Sequence, residues 1–412
     1  MRERVLVIGA GPAGLCLSLA LSARGLGVDL LERQTASALE SPEFDGREVA
    51  LTHRSIRLLH ELGVWRHIPP EAVAPLCRAR VMDGDHGGFE VDGLAFGCDR
   101  LGVFVSNHEI RAAAWRAVTE HADIRVHDGV EVESLATTVD RAMVRLAGAG
   151  ELSAPLLVAA DSRFSQARRA MGIATRMLDF GKTMLVCRVR HEVANDGTAW
   201  EWFGRGQTRA LLPLGEHLSS LVLTVSGAEA SRLMELSPSA FASEVARRYE
   251  GRLGAVELES RRHAYPLVAT WARRFIAQRF ALVGDAAVGM HPVTAHGFNL
   301  GLASVEHLSQ SVGEALQRHG DPGHAALLAR YERRHRIGSA PMFAGTQAVV
   351  GIFTAERLWS GYIRRGLLQL SRAPLARRAM AAAVLANDII PSSLMVQRLR
   401  SAVDVLRPRR RA

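Results

Sequence analysis

Six residues near the N-terminus have the types and spacing to bind a dinucleotide. Gly9-Ala10-Gly11-Pro12-Ala13-Gly14 follows the apolar run Val5-Leu6-Val7-Ile8 and precedes an apolar helical pattern over 15–23. An apolar run of this length suits a buried parallel strand. In that strand, turn and helix context Gly9 makes the tight turn, Gly11 lets the backbone approach a pyrophosphate, and Gly14 lets helix and strand pack closely. The anion then sits at the positive end of the helix. A second strand over 28–31 ends at Glu32, placed to accept hydrogen bonds from an adenosine ribose. The competing explanation is a glycine-rich turn in another α/β protein, and the strand, glycines and acidic residue together argue against it. The motif does not separate FAD from NAD.

Three further segments carry a resemblance. They are Asp45-Gly46-Arg47-Glu48-Val49-Ala50-Leu51-Thr52, then Leu157-Val158-Ala159-Ala160-Asp161-Ser162-Arg163-Phe164-Ser165, then Phe280-Ala281-Leu282-Val283-Gly284-Asp285-Ala286-Ala287. The last runs on into His291-Pro292-Val293-Thr294-Ala295-His296-Gly297-Phe298-Asn299-Leu300-Gly301. With the glycine motif, over most of 1–345, they resemble the flavin-dependent aromatic hydroxylases, most closely their ubiquinone-biosynthesis branch. The resemblance implies FAD as cofactor and NAD(P)H as electron-donor cosubstrate. It implies that Arg47 reaches toward the flavin, that the Asp161 segment meets FAD and the nicotinamide nucleotide, and that Asp285 bonds the ribityl chain. It adds Ala13, Arg33, Arg111, Gly297, Phe298 and Asn299 to the cofactor-binding set, and passes the loop bearing His291, Pro292 and His296 under the isoalloxazine ring.

Two of these assignments have independent physical support. An apolar strand ending in Gly284-Asp285 brings a carboxylate to the carboxyl end of a sheet, where α/β ligands bind. Asp285 capping a helix is the plainer alternative. Gly297 and Gly301 flank Asn299 at a helix start, where backbone N–H groups could face a partly negative reduced flavin. The sequence departs from the family pattern at Ser162, where glycine is usual, and at His296, where glutamine is common. His296 either titrates near neutrality or is a neutral hydrogen-bonding substitute that holds the loop.

Between 181 and 268 the period changes. Strands over 184–189, 198–203, 208–212 and 220–225, separated by glycine-bearing turns, read as an antiparallel meander, completed by a helix over 237–249 and a strand over 256–265. Trp200, Trp202, Phe203, Leu212, Pro213, Tyr265 and Pro266 are candidate walls for an aromatic substrate. Ordinary sheet core and the face of a homodimer are the alternatives. The expected fold is therefore α/β: a Rossmann-like FAD-binding domain assembled from 1–75, 101–180 and 269–345. A substrate-side segment at 76–100, an inserted, mostly antiparallel substrate sheet at 181–268 and a C-terminal helical region with a basic tail at 346–412 complete it.

No side-chain nucleophile stands out, as expected where a cofactor carries the chemistry. What the resemblance implies is a monooxygenase: NAD(P)H reduces FAD, O2 forms a C4a-hydroperoxyflavin, and oxygen passes to a phenolic, polyprenylated ring. A flavin reductase, a hydroxylase of another lipid or aromatic metabolite, and a non-catalytic flavin-binding protein are the rivals.

Composition narrows the partners. The 412 residues are 48% apolar, enough for a real core and more than one domain. Cys16, Cys77, Cys98 and Cys187 lie too far apart for a zinc knuckle and are too few to staple the chain, which points to a reducing compartment and no metal site. The apolar run at 5–8 is too short for a signal peptide, and no apolar stretch is long enough to cross a bilayer. The net charge of +9 is almost wholly arginine, Lys182 being the only lysine. Aromatics at 6% offer no stacking array for nucleic acid. Past residue 346, Arg357, Arg364, Arg365, Arg377 and Arg378 mix with Trp359, Tyr362 and leucines. That surface suits peripheral contact with the inner face of the membrane or a ubiquinone-biosynthesis assembly by a cytoplasmic protein; a helix packed on the FAD domain is the alternative.

Overall fold

The near-continuous apolar runs become strands covered on both faces. The computed structural model describes residues 3–83, 88–148, 150–204, 206–290 and 297–354. Its first sheet runs, in spatial order, Ile276–Ala277, Phe280–Leu282, Leu157–Ala159, Arg4–Ile8, Gly27–Leu31 and Ile124–His127. All neighbours pair parallel except the first two. Helices Pro12–Ser22, Asn107–Thr119 and Gly297–His319 pack together against it. A small antiparallel sheet, Val132–Thr137, Ala142–Leu146 and Gly150–Ala154, adds Val144 and Leu146 to the same core. This is the expected Rossmann-like unit, with three sequence-distant pieces in one sheet.

The second sheet has nine strands and is antiparallel but for one pairing. Its path is Val288–Gly289, His263–Ala272, Thr175–His191, Leu218–Ser226, Gln207–Gly215, Thr198–Gly204, Arg78–Asp83 and Gly88–Asp92. Val256–Leu258 joins beside the end of Thr175–His191. Thr198–Gly204 and Arg78–Asp83 are the parallel neighbours, so the segment after residue 76 widens the sheet.

Three details differ from the sequence reading. The strand expected over 256–265 is two, Val256–Leu258 and His263–Ala272. The strand expected from 184 begins earlier, at Thr175, because Asp179 and Gly181 form an irregularity within it and not a turn: the register shifts between Asp179 and Thr183, and Gly181 takes φ +59°. The meander holds only for the three strands from Thr198 to Ser226. Thr175–His191 pairs with Leu218–Ser226, because the Asn195-Asp196-Gly197 turn carries the chain to the far side, where Cys77 N–H donates to Gly197 O.

Alternation gives this sheet two unlike faces. Leu185, Cys187, Leu221 and Leu223 pack on helices Gly227–Glu235 and Pro238–Arg248, through Leu233, Phe241 and Val245. Met184, Val186 and Val222 point the other way, with Tyr265. The nucleotide unit meets that second face. Arg188 donates to Glu48 Oε1 at 2.8 and 3.0 Å, Ser106 Oγ donates to Glu48 Oε2 at 2.7 Å, and Tyr265 OH donates to Asp45 O at 2.7 Å.

The C-terminal region begins as helix Ala325–Thr354, packed along Gly297–His319. Among the described residues no helix is long and apolar enough to cross a membrane. The arginine clusters from Arg357 onward lie outside the described residues.

Candidate functional site

The glycine loop leaves room where an anion would lie. A Cβ on Gly14 would stand 1.8 Å from Gly9 O, and one on Gly9, at φ +102°, 2.7 Å from Ala160 O. These two glycines close the turn onto the neighbouring strand. Gly11 is different: a Cβ there meets nothing within 4 Å. It is the N-cap of Pro12–Ser22, and no side chain caps that helix. Open space before an uncapped helix N-terminus suits an anion. Ala13 and Gly301 crowd around Gly284, at φ +59°, so helix Gly297–His319 starts beside the first one.

Polar groups surround that turn. Glu32, at the end of Gly27–Leu31, accepts from Ala10 N–H at 2.6 Å and from Gln34 N–H at 2.8 Å. It thereby braces the glycine loop, and each carboxylate oxygen keeps a lone pair for a ribose hydroxyl. Asp161 Oδ2 accepts from Gln166 N–H at 2.9 Å, while its Oδ1 is buried without a partner among the described residues. A buried carboxylate oxygen beside the glycine turn fits a site completed by a ligand. Ser162 needs no glycine: φ is not positive there, and its hydroxyl accepts from Phe164 N–H at 3.2 Å.

Asp285 lies inside the 3₁₀ turn Gly284–Ala286, whose N-cap is Val283, so it does not act as the cap. Its carboxylate accepts from Arg163 Nη2 at 3.0 Å, and Arg163 Nη1 donates to Val268 O at 2.9 Å. Arg163 thus ties the carboxyl edge of the first sheet to the second. It was visible within the Asp161 motif, but its role depends on a strand more than a hundred residues away.

Arg47 is bound by Asp45, Nη2 to Oδ2 at 2.6 Å, and lies 5.7 Å from the centroid of the Tyr265 ring. Partial burial works against its charge, but the Asp45 carboxylate outweighs that, and Tyr265 and Asp285 add to it. Arg111 donates to Gln34 Oε1 at 2.8 Å and is within electrostatic reach of Asp45, Arg47 and Glu32. The expected cofactor residues therefore form one line from Glu32 through Arg111 and Arg47 to Asp285. Arg33 is exposed beyond the end of that line.

Asn299 acts as a clamp. Its Nδ2 donates to Ala50 O at 2.7 Å and its Oδ1 accepts from Thr52 N–H at 3.1 Å, holding the strand that follows Arg47. Phe298 packs on the large core, and Gly297 has open space around it. Asn299→Ala leaves two backbone groups unpaired and is expected to cost about 2 kcal/mol. The check is the urea midpoint of the flavin-loaded protein, which falls if the clamp matters. His291, Pro292 and His296 lie outside the described residues.

The substrate wall expected from the sequence splits between the two sheet faces. Trp202 is fully buried on the helix-covered face, stacked 3.8 Å from the Arg209 guanidinium, and Trp200 packs on that same core. Pro213 pairs with Ser219 two residues beyond Leu211, so it shares their face. Leu212, Phe203 and Tyr265 fall on the face toward Arg47; Pro266 is exposed beside Tyr265.

Comparison with known proteins agrees with this geometry. The FAD binding domain family model matches residues 2–342. The chain is 44% identical over 361 residues to ubiquinone hydroxylase UbiM of Neisseria meningitidis, covering 86% of this chain and 78% of that protein. It is 33% identical over 369 residues to ubiquinone hydroxylase UbiL of Rhodospirillum rubrum, covering 88% and 86%. Among solved structures, p-nitrophenol 4-monooxygenase PnpA of Pseudomonas putida superposes with a TM-score of 0.75 at 18% identity, over 94% of this chain and 98% of that one. That likeness speaks to the fold.

Proposed function

From the premise that this chain belongs to the FAD binding domain family, as a flavin-dependent oxidoreductase of the monooxygenase class, we propose that it hydroxylates a phenolic, polyprenylated ring in ubiquinone biosynthesis. The observation that carries the reading is its likeness to two ubiquinone hydroxylases across most of the chain. NAD(P)H is the electron donor and O2 the oxidant.

Bound FAD would supply activated oxygen; the residues of this chain bind, orient and enclose. The uncapped helix start at Gly11 takes the pyrophosphate, Glu32 the adenosine ribose, and Asp285 the ribityl chain. Arg47, fixed by Asp45, places a positive charge where a reduced flavin gains a negative one. The sheet face bearing Tyr265, Leu212 and Phe203 shields the ring from water and holds it close to the reacting centre. A lipid-soluble substrate explains the basic segment beyond residue 356: peripheral contact with the cytoplasmic face of the membrane would present it.

The test is purification with a flavin absorption spectrum, then NAD(P)H oxidation and oxygen uptake against prenylated and unprenylated phenols. The expected result is substrate-coupled O2 uptake and a product heavier by one oxygen atom. Anaerobic product formation would instead make the protein a reductase.

A further inference from the structure

Resting on the hydroxylase reading, we propose that Glu201 is the acid–base residue of the ring cavity, accepting the proton of the substrate phenol. The register puts it there. Strand Thr198–Gly204 turns Trp200 and Trp202 toward the helices, so Glu201 and Phe203 face the nucleotide unit. Across the sheet the same row runs through Ala210 and Val222 to Val186, over which Gly46 and the Arg47 segment lie. Ala210 and Val222, the residues between, are apolar, so no polar side chain of this row stands between Glu201 and that segment.

Glu201 keeps partial accessibility although its carboxyl is pushed up to about 8 by burial alone. A carboxyl that is raised by burial and still partly accessible is suited to exchange a proton with a bound phenol. Its surroundings add no compensating charge among the described residues. Ala210 and Val81 flank it in the adjoining strands, while Arg80 and Arg209 sit on the opposite face against Trp200 and Trp202. Helix Ala325–Thr354 packs against this strand, and its titratable residues, Arg330, Tyr331, Glu332, Arg333, Arg334, His335 and Arg336, all lie in its first half. Through the sheet, Tyr249, raised first by its own burial, also feels the Glu201 charge.

A base that changes charge near the operating pH suits transfer from a phenol of pKa about 10. The O–H bond breaks, its electron pair stays on the phenol oxygen, and the proton passes to Glu201. The electron-rich ring is then the better acceptor of oxygen, and the proton returns to the product oxygen before release.

The experiment uses the full-length FAD-loaded enzyme and its Glu201→Gln and Glu201→Asp variants with a farnesylated phenol, across pH about 6 to about 10. Phenol binding is read by flavin fluorescence and turnover by coupled O2 uptake. In the wild type, binding should change and kcat/KM should rise through an ionisation near 8. Glu201→Gln should lose that ionisation and about a hundredfold in kcat, with anaerobic flavin reduction by NAD(P)H retained; Glu201→Asp should restore a pH limb. A Glu201→Gln enzyme that keeps both ionisation and rate overturns the proposal while leaving hydroxylation intact. A wild type that binds the phenol with this ionisation, lost in Glu201→Gln, yet never oxygenates it defeats the hydroxylase reading and supports Glu201 as the residue that meets the phenol.

Discussion

A Gly11→Val protein is expected to fold, to unfold in urea with the midpoint of the wild-type apoprotein, and to bind FAD about a thousandfold more weakly. The backbone of Gly11, φ −68° and ψ 172°, is open to any residue, and a Cβ there touches nothing within 4 Å. The added side chain therefore costs the apoprotein little. It would occupy the space before the helix N-terminus and displace two charge-assisted hydrogen bonds to the pyrophosphate. At about 2 kcal/mol each, their loss is about three decades of affinity. Gly14→Ala is the control with the opposite expectation, since its methyl group would stand 1.8 Å from Gly9 O and the turn itself must open. Flavin titration beside a urea curve separates the two, and wild-type FAD affinity in Gly11→Val would mean that the pyrophosphate binds elsewhere.

The second large effect is on the joint between the two sheets. Arg188→Met should destabilise the protein by about 3–5 kcal/mol, because it strands a buried charge. The Glu48 side chain is only 1% exposed, and two guanidinium bonds and the Ser106 hydroxyl are its partners. Arg188 also stands 4.6 Å over the Phe44 ring, and that contact goes with it. Adding Glu48→Gln should recover much of the loss, since the stranded group is then neutral. Denaturation of the two single variants and the double variant reads the coupling directly. A change within about 0.5 kcal/mol for Arg188→Met would show that the joint is held by its apolar contacts.

The nucleotide half of the site was legible because its signals are local. Gly9, Gly11 and Gly14 are required by one turn, Glu32 ends the next strand, and Asp285 lies in the turn after another; each signal sits within its own short segment. The sheet half was legible as alternation and no further. The pattern at 200–203 shows that Trp200 and Trp202 share one face and Glu201 and Phe203 the other. Nothing within that strand tells which face meets the nucleotide unit and which meets helices formed by 227–248. Large aromatics were the natural choice for a substrate wall, yet Trp202 serves as core under Arg209. The strand at Thr175 was missed for a related reason: Asp179 and Gly181 have the composition of a turn, and only pairing with His263–Ala272 keeps the chain extended through them.

The sequence by itself determined the Rossmann-like unit, its discontinuous assembly around an inserted sheet, and the glycine turn that leaves the helix start at Gly11 open, since turn geometry and apolar periodicity are properties of short segments. Only the tertiary structure decided which face of the sheet meets the nucleotide unit, that Asn299 and Arg163 are clamps across elements, and that Glu201 shares that face. Those outcomes depend on residues more than a hundred positions apart meeting, and on burial, which no single strand contains.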